Sequence, residues 1–218
     1  KEIDRLSRVF ASYLQNDLGL VKGDRIAIMM PNLLQYPVAM FGALRAGLIV
    51  VSTNPLYTSK ELSEIIKDSG AKAIVILENF ASTLQPIYKD TDLKHIIVTK
   101  ISDVFNFPKS MLVDVVVKFV KKMVPSYSIP NHIKYRDVMN SGNENNFSEE
   151  KIIGSDIAYL QYTGGTTGKS KGAVLTHSNL VANLEQAASW LEQGIDEGQE
   201  IIITALPLYH IFSLTANC

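Results

Sequence analysis

In the stretch Asp156-Ile157-Ala158-Tyr159-Leu160-Gln161-Tyr162-Thr163-Gly164-Gly165-Thr166-Thr167-Gly168-Lys169-Ser170-Lys171-Gly172-Ala173-Val174-Leu175-Thr176-His177, three glycines, three threonines and two lysines fall between Thr163 and Lys171. That mixture suits a phosphate cradle: glycine lets backbone N–H groups converge on an anion, threonine hydroxyls add neutral donors or a metal ligand, and lysine supplies counter-charge. Gly168-Lys169-Ser170 fits the end of a Walker A loop, but the first glycine of that motif is replaced by Thr163. A Walker loop also opens a helix. Here both flanks, Asp156 to Tyr162 and Gly172 to His177, are β-prone, so the stretch reads as strand, loop, strand, a cover over a nucleotide.

The residues Leu160 to Gly168, then Lys171-Gly172-Ala173 and Leu175-Thr176-His177, resemble the AMP-binding signature of the adenylate-forming enzymes, most nearly that of bacterial long-chain fatty acyl-CoA synthetases. Ser170 stands where much of that family has proline. Further upstream, Gly23-Asp24-Arg25-Ile26-Ala27, Pro31-Asn32, Arg45-Ala46-Gly47 and Asn54-Pro55-Leu56-Tyr57-Thr58 resemble the family's amino-terminal blocks, although nearly all of these suit structural roles.

Before the glycine-rich stretch, strands alternate with helices. Helices are expected from Ile3 to Leu18, about Leu34 to Arg45, Thr58 to Asp68 and, less regularly, Phe80 to Tyr88. The apolar runs Arg25 to Met30, Leu48 to Ser52, Ala73 to Leu77 and His95 to Thr99 read as buried parallel strands. Thr58 with Glu61 makes a capping box, and Ser69-Gly70 closes that helix. The expected fold is α/β, a mostly parallel sheet layered with helices. Three segments follow: residues 1–100 as an α/β subdomain, 101–150 as an insertion and polar linker, and 151–218 as the start of the nucleotide-binding subdomain. Pro125 to Glu150 is expected to be a solvent loop.

Beyond the glycines, a helix capped by Thr176 or Ser178 carries Leu180, Val181, Leu184, Ala187, Ala188 and Leu191 on one side, with Gly194 and Gly198 ending it. Ile201 to Leu206 reads as a strand running into Pro207-Leu208-Tyr209-His210-Ile211-Phe212. Ligands gather at strand carboxyl ends in open α/β sheets, which favours a site role for His210 over a structural one; His95 and His177 read as structural. Pro207 to Phe212 also resembles the family's second signature, whose aromatic and histidine line the acyl and adenylate pocket.

The resemblance implies ATP-dependent activation of a long-chain fatty acid to an acyl-adenylate, then transfer to coenzyme A. It assigns Thr163, Gly164, Gly165, Thr166, Thr167, Gly168 and Lys171 to ATP, Thr163 to Mg²⁺, and Tyr209 and His210 to the substrate pocket, with Lys171 and His210 as the catalytic pair. His210 would orient the carboxylate or shape its pocket, without proton transfer. The family's adenine and ribose contacts, acidic Mg²⁺ ligand and mobile carboxyl-terminal domain match nothing here, so the chain is expected to be an inactive amino-terminal fragment that binds ATP weakly. Two other readings stay open: a P-loop NTPase or kinase using Lys169 and Ser170, and a non-catalytic binding module.

Composition limits the rest. A net charge of -1 and 46% hydrophobic residues describe an ordinary globular chain without the basic excess of a nucleic-acid binder. The single cysteine, Cys218, permits no internal disulfide and suits a reducing, cytoplasmic setting, and the four scattered histidines suggest no zinc site. A homodimer is a further expectation.

Met111 to Val124 is unusual, with Asp114, Lys118, Lys121 and Lys122 as one polar stripe among apolar residues. It reads equally as a core-packed insertion helix or as a reversible contact with the inner face of the cell membrane. Its three lysines and Lys109 just before them would together supply about 4 kcal/mol at an anionic surface, only millimolar affinity without apolar insertion.

Overall fold

The apolar runs form strands whose alternate side chains enter two different cores. Ile26, Ile28, Val50 and Val75 point into one, and Ala27, Met29, Val51, Ile74 and Ile76 into the other. Both faces are therefore covered, which is why these runs are continuously apolar instead of alternating. The structure, a computed structural model, describes residues 1–163, 170–191 and 201–217. Its elements in order are α1 (Glu2–Asn16), β1 (Arg25–Met29), α2 (Gln35–Arg45), β2 (Ile49–Ser52), α3 (Ser59–Ser69), β3 (Ala73–Leu77), α4 (Ala81–Leu84), β4 (His95–Thr99), α5 (Lys109–Val115), β5 (Ile133–Lys134), α6 (Tyr135–Ser141), β6 (Ile157–Thr163), β7 (Lys171–Thr176), α7 (His177–Leu191) and α8 (Ile211–Asn217).

The seven strands lie in the order β5-β4-β3-β1-β2-β6-β7. All neighbours run parallel except β6 and β7, which are antiparallel. The chain steps from β1 to β2 through α2, then crosses back past β1 to β3 through α3. Reversing direction places the two helices on opposite faces if both crossovers are right-handed. Accordingly α1, α2 and α6 cover one face, and α3 and α4 the other.

Local chemistry sets the boundaries. The hydroxyl oxygen of Thr58 accepts from Glu61 N–H, and the Glu61 carboxylate accepts from Thr58 N–H at 2.8 Å, completing the capping box. Gly70 ends α3 at φ +62°, and the Arg25 guanidinium donates to Ser69 O and Gly70 O beside it.

Four expectations need correction. The Phe80 to Tyr88 helix is only the single turn α4 between two 3-10 turns, with Pro86 blocking continuation. The stretch 125–150 is more than a solvent loop: Ile133 and Lys134 extend the sheet beside β4, and Tyr135 and Val138 are buried, the Tyr135 ring stacking on Phe10 with centroids 5.9 Å apart. Ile201 to Leu206 forms no strand; the Thr204 and Leu206 carbonyls accept from the Asn32 side chain instead of a neighbouring strand. Finally, the core-packed reading of Met111 to Val124 fails, because Met111, Leu112, Phe119 and Val120 are exposed. Helix α5 continues into a π-helical turn over Val116–Val120 and stops there. The expected helix over 176–191 is α7, with the Thr176 hydroxyl accepting from Asn179 N–H, but its apolar side is exposed among the described residues. Gly194 and Gly198 lie outside them.

Candidate functional site

Strands β6 and β7 leave and enter residues 164–169 side by side. Thr163 pairs with Lys171, Tyr162 with Gly172 and Gln161 with Ala173. The last residue before the glycine-rich segment and the lysine after it are therefore ladder neighbours, and both are exposed. Neighbours across a non-hydrogen-bonded or hydrogen-bonded antiparallel pair sit roughly 4.5–5.5 Å apart, close enough for one phosphate group to meet a hydroxyl and an ammonium together. The candidates Gly164, Gly165, Thr166, Thr167 and Gly168, and the rival Lys169, lie outside the described residues.

Two side chains and one glycine hold this strand pair in place. The Tyr162 hydroxyl donates to Asp68 Oδ2 on α3 at 2.6 Å. Burial, together with that carboxylate, pushes the Tyr162 pKa well above the ordinary tyrosine value, so the hydroxyl remains a donor. Gly172 packs directly on the ring: a Cβ there would stand 3.0 Å from Tyr162 Cζ and 3.3 Å from its oxygen. The Lys171-Gly172 pair thus has a packing reason, since only glycine lets β7 lie this close beside Tyr162.

Gln161 faces the other side of the sheet, as its register with Ser52 and its contact with Tyr209 show. Its Nε2 donates to Tyr209 O at 3.1 Å. The Gln161 Oε1 and Ser52 Oγ atoms are both buried without a hydrogen-bond partner among the described residues. Asn32, just beyond the carboxyl end of β1, accepts from Leu208 N–H at 2.8 Å through Oδ1 and donates to Thr204 O and Leu206 O through Nδ2. Tyr209 and His210 follow directly, their rings 4.7 Å apart between centroids, and His210 is exposed. The expected strand leading into His210 is absent; Asn32, just beyond the carboxyl end of β1, and Gln161 on β6 hold the 204–209 segment that precedes it.

Asn32 and Gln161 are positioning residues that sequence reasoning passed over. Each left a faint signal: Gln161 is the one long polar side chain in Ile157 to Tyr162, and Pro31-Asn32 breaks an apolar run at a strand end. Lys171 and Thr163 are brought together; no hydrogen bond or ion pair among the described residues joins either to Tyr209 or His210. A cleft of about 470 Å³ beside Ser170 is lined by Glu64, Ile65, Lys67, Asp68 and Tyr162. Two carboxylates against one lysine, Lys67, make it a poor phosphate seat.

No group of three or more His, Cys, Asp or Glu able to hold a metal occurs among the described residues. Thr163 offers a single exposed oxygen. That fits Mg²⁺ carried in on phosphates with most of its waters retained, not a protein-built cage.

A doubly wound α/β sheet in which β7, not a helix, follows Ser170 defines a nucleotide-type domain outside the Walker class. The P-loop reading is thereby set aside. The chain belongs to the AMP-binding enzyme family, which it matches over residues 1–218. It is 51% identical over 218 residues to a long-chain-fatty-acid–CoA ligase of Yersinia pestis, covering 100% of this chain and 39% of that protein. To the ligase of the same name from Bacillus subtilis it is 37% identical, covering 94% of this chain and 36% of that one. Among solved structures, a long-chain-fatty-acid-CoA ligase from Archaeoglobus fulgidus superposes with a TM-score of 0.75 at 27% identity, over 99% of this chain and 36% of that one. The chain thus spans well under half the length of the relatives it matches.

Proposed function

We propose that the full-length protein is an AMP-forming long-chain fatty acid–CoA ligase. The carboxylate of the acid attacks the α-phosphate of ATP in line, an acyl-adenylate forms and pyrophosphate leaves; the thiol of coenzyme A then attacks the acyl carbon and AMP leaves. The observation that carries the reading is the β6–β7 pair, which sets Thr163 opposite Lys171 at the ends of the glycine- and threonine-rich segment while Gln161 on the same strand holds Tyr209. The similarity to long-chain-fatty-acid–CoA ligases supports the choice of substrate.

In-line phosphoryl attack needs little covalent help from protein, so the work is positioning and charge neutralisation. Lys171 and the N–H groups of residues 164–168 take the β- and γ-phosphates. At about 4 Å from a phosphate charge the lysine contributes ~4 kcal/mol at an effective dielectric of 20, against ~1 in open water. Because Lys171 is exposed here, the remainder of the full-length protein has to exclude water over the site. Thr163 would offer Mg²⁺ one hydroxyl ligand, and the ion would supply charge neutralisation on the phosphates. His210 and Tyr209 shape the carboxylate pocket. The setting we propose is cytoplasmic, with reversible contact through Met111 to Val124 at the inner face of the cell membrane.

Hydroxamate trapping with the full-length protein, ATP and fatty acids of increasing length tests the reading. ATP-dependent acyl-hydroxamate that rises towards long chains is the expected result; its absence with every acid, in protein that is folded, would refute it.

A further inference from the structure

The segment between β4 and β5 carries its polarity the wrong way round for a helix facing water. Asp114 turns towards the protein, where Lys100 Nζ stands 3.6 Å from its Oδ2. Asp114 and Lys118 line a cleft of about 780 Å³ together with Glu78, Lys100, Asp103 and Arg136. Ser110 is buried, and Val113, Val116 and Val117 are half-buried. The opposite side presents Met111, Leu112, Val115, Val120 and Met123, each with 43–67% of its surface open, and Phe119, at the rim of the cleft, is 66% exposed. The segment is also fixed to the body: Asn79 Nδ2 donates to Met123 O at 2.9 Å. An apolar face displayed outward on an anchored element needs a non-aqueous partner.

Charge identifies that partner. Lys109, Lys121 and Lys122 are exposed around the apolar side chains, and the one acidic residue between positions 104 and 125, Asp114, is engaged with Lys100. The other exposed apolar helix, α7, contains no lysine or arginine. We propose that the outer face of residues 107–123 docks on an anionic phospholipid leaflet, with Phe107, Met111, Leu112, Phe119 and Val120 entering the acyl boundary and the three lysines meeting lipid phosphates. This rests on the membrane contact proposed above and names its lipid class and its contact residues. The segment is tied to Asn79 and Lys100, just beyond β3 and β4, which lie four and five strand intervals from β7, or about 19–24 Å at ~4.8 Å per interval. Docking there leaves the Thr163–Lys171 end free for ligands.

The test is sedimentation of the full-length protein with vesicles of phosphatidylcholine alone or mixed with phosphatidylglycerol. The expected result is binding to the mixed vesicles only, weakened by salt, and reduced about tenfold or more by Met111→Ser with Phe119→Ser and separately by Lys121→Glu with Lys122→Glu. All four positions are exposed, so circular dichroism should be unchanged. Hydroxamate formation from the same series of acids, supplied in detergent micelles without vesicles and measured on the same preparations, reports the ligase reading separately: its absence with every acid in the unsubstituted protein sinks that reading and leaves the docking result standing. Equal binding to both vesicle types, unchanged binding by the variants, or a protein dimer abolished by Phe119→Ser in place of vesicle binding would overturn the proposal.

Discussion

Substituting Gly172→Ala tests whether the contact between β7 and Tyr162 positions Lys171, the lysine proposed to bind phosphate. The added Cβ would stand 3.0 Å from Tyr162 Cζ and 3.2 Å from Cε2, inside ordinary contact distance. The ring cannot simply retreat, because it is buried and its hydroxyl is held by Asp68 at 2.6 Å. Overpacking of this kind costs roughly 2 kcal/mol, and the lower backbone entropy of unfolded alanine returns about 0.7, for a net destabilisation of about 1 kcal/mol. Relief would come from β7 shifting a few tenths of an ångström, and Lys171 is the next residue. Moving its charge from about 4.0 to about 4.5 Å from a phosphate loses about 0.5 kcal/mol at an effective dielectric of 20, roughly twofold in KM for ATP. The assay is urea denaturation together with ATP-dependent kinetics of the full-length protein, run in the native and the Tyr162→Phe backgrounds. Tyr162→Phe frees the ring to move, so the Gly172→Ala penalty should shrink there. Equal penalties in both backgrounds, or a stabilising Gly172→Ala, would refute the packing argument.

Two further outcomes follow from the same geometry. Gln161→Leu removes the donor to Tyr209 O and should raise KM for the fatty acid several-fold with KM for ATP nearly unchanged; a uniform loss of kcat with both KM values intact would count against a positioning role. Glu78 is buried and its pKa is raised by that burial, while Lys100 and Lys118 only partly oppose the shift. A raised folded pKa makes Glu78 most favourable to folding below its unfolded value of about 4.3 and progressively unfavourable as pH climbs through the folded value. Glu78→Gln should therefore raise the urea midpoint at pH 7, with the gain vanishing near pH 4; a gain that grows on acidification would contradict this.

The parts of the fold that sequence made legible are those where local chemistry and global packing agree. Thr58 and Glu61 specify one helix start by themselves, and the runs at Ile26, Val50, Ile74 and Ile97 can be buried only within a two-faced sheet. Ile133-Lys134 escaped notice because two residues show no periodicity, and its strand exists only because β4 offers an edge. Ile201 to Leu206 has strand composition, but pairing is a property of neighbours, and its carbonyls met Asn32 instead. For α5, periodicity revealed a polar stripe without revealing which side faced the protein. That depends on Lys100 and Glu78, residues distant in sequence. In the site, Thr163 and Lys171 were legible because the residues on each side of the glycines are β-prone and nothing there could open a helix. Asn32 and Gln161 were not, since their work is long-range hydrogen bonding to the 204–210 segment.

The assignment of phosphate binding to Lys171 is tested most directly by comparing Lys171→Ala with Lys169→Ala in the full-length protein, reading ATP-dependent acyl-hydroxamate formation from a long-chain acid. Loss of up to ~4 kcal/mol of charge stabilisation predicts a fall of about two to three orders of magnitude in kcat/KM for Lys171→Ala and a small effect for Lys169→Ala. The reverse order, or no effect from either substitution, would contradict a strand–loop–strand phosphate site ending at Lys171.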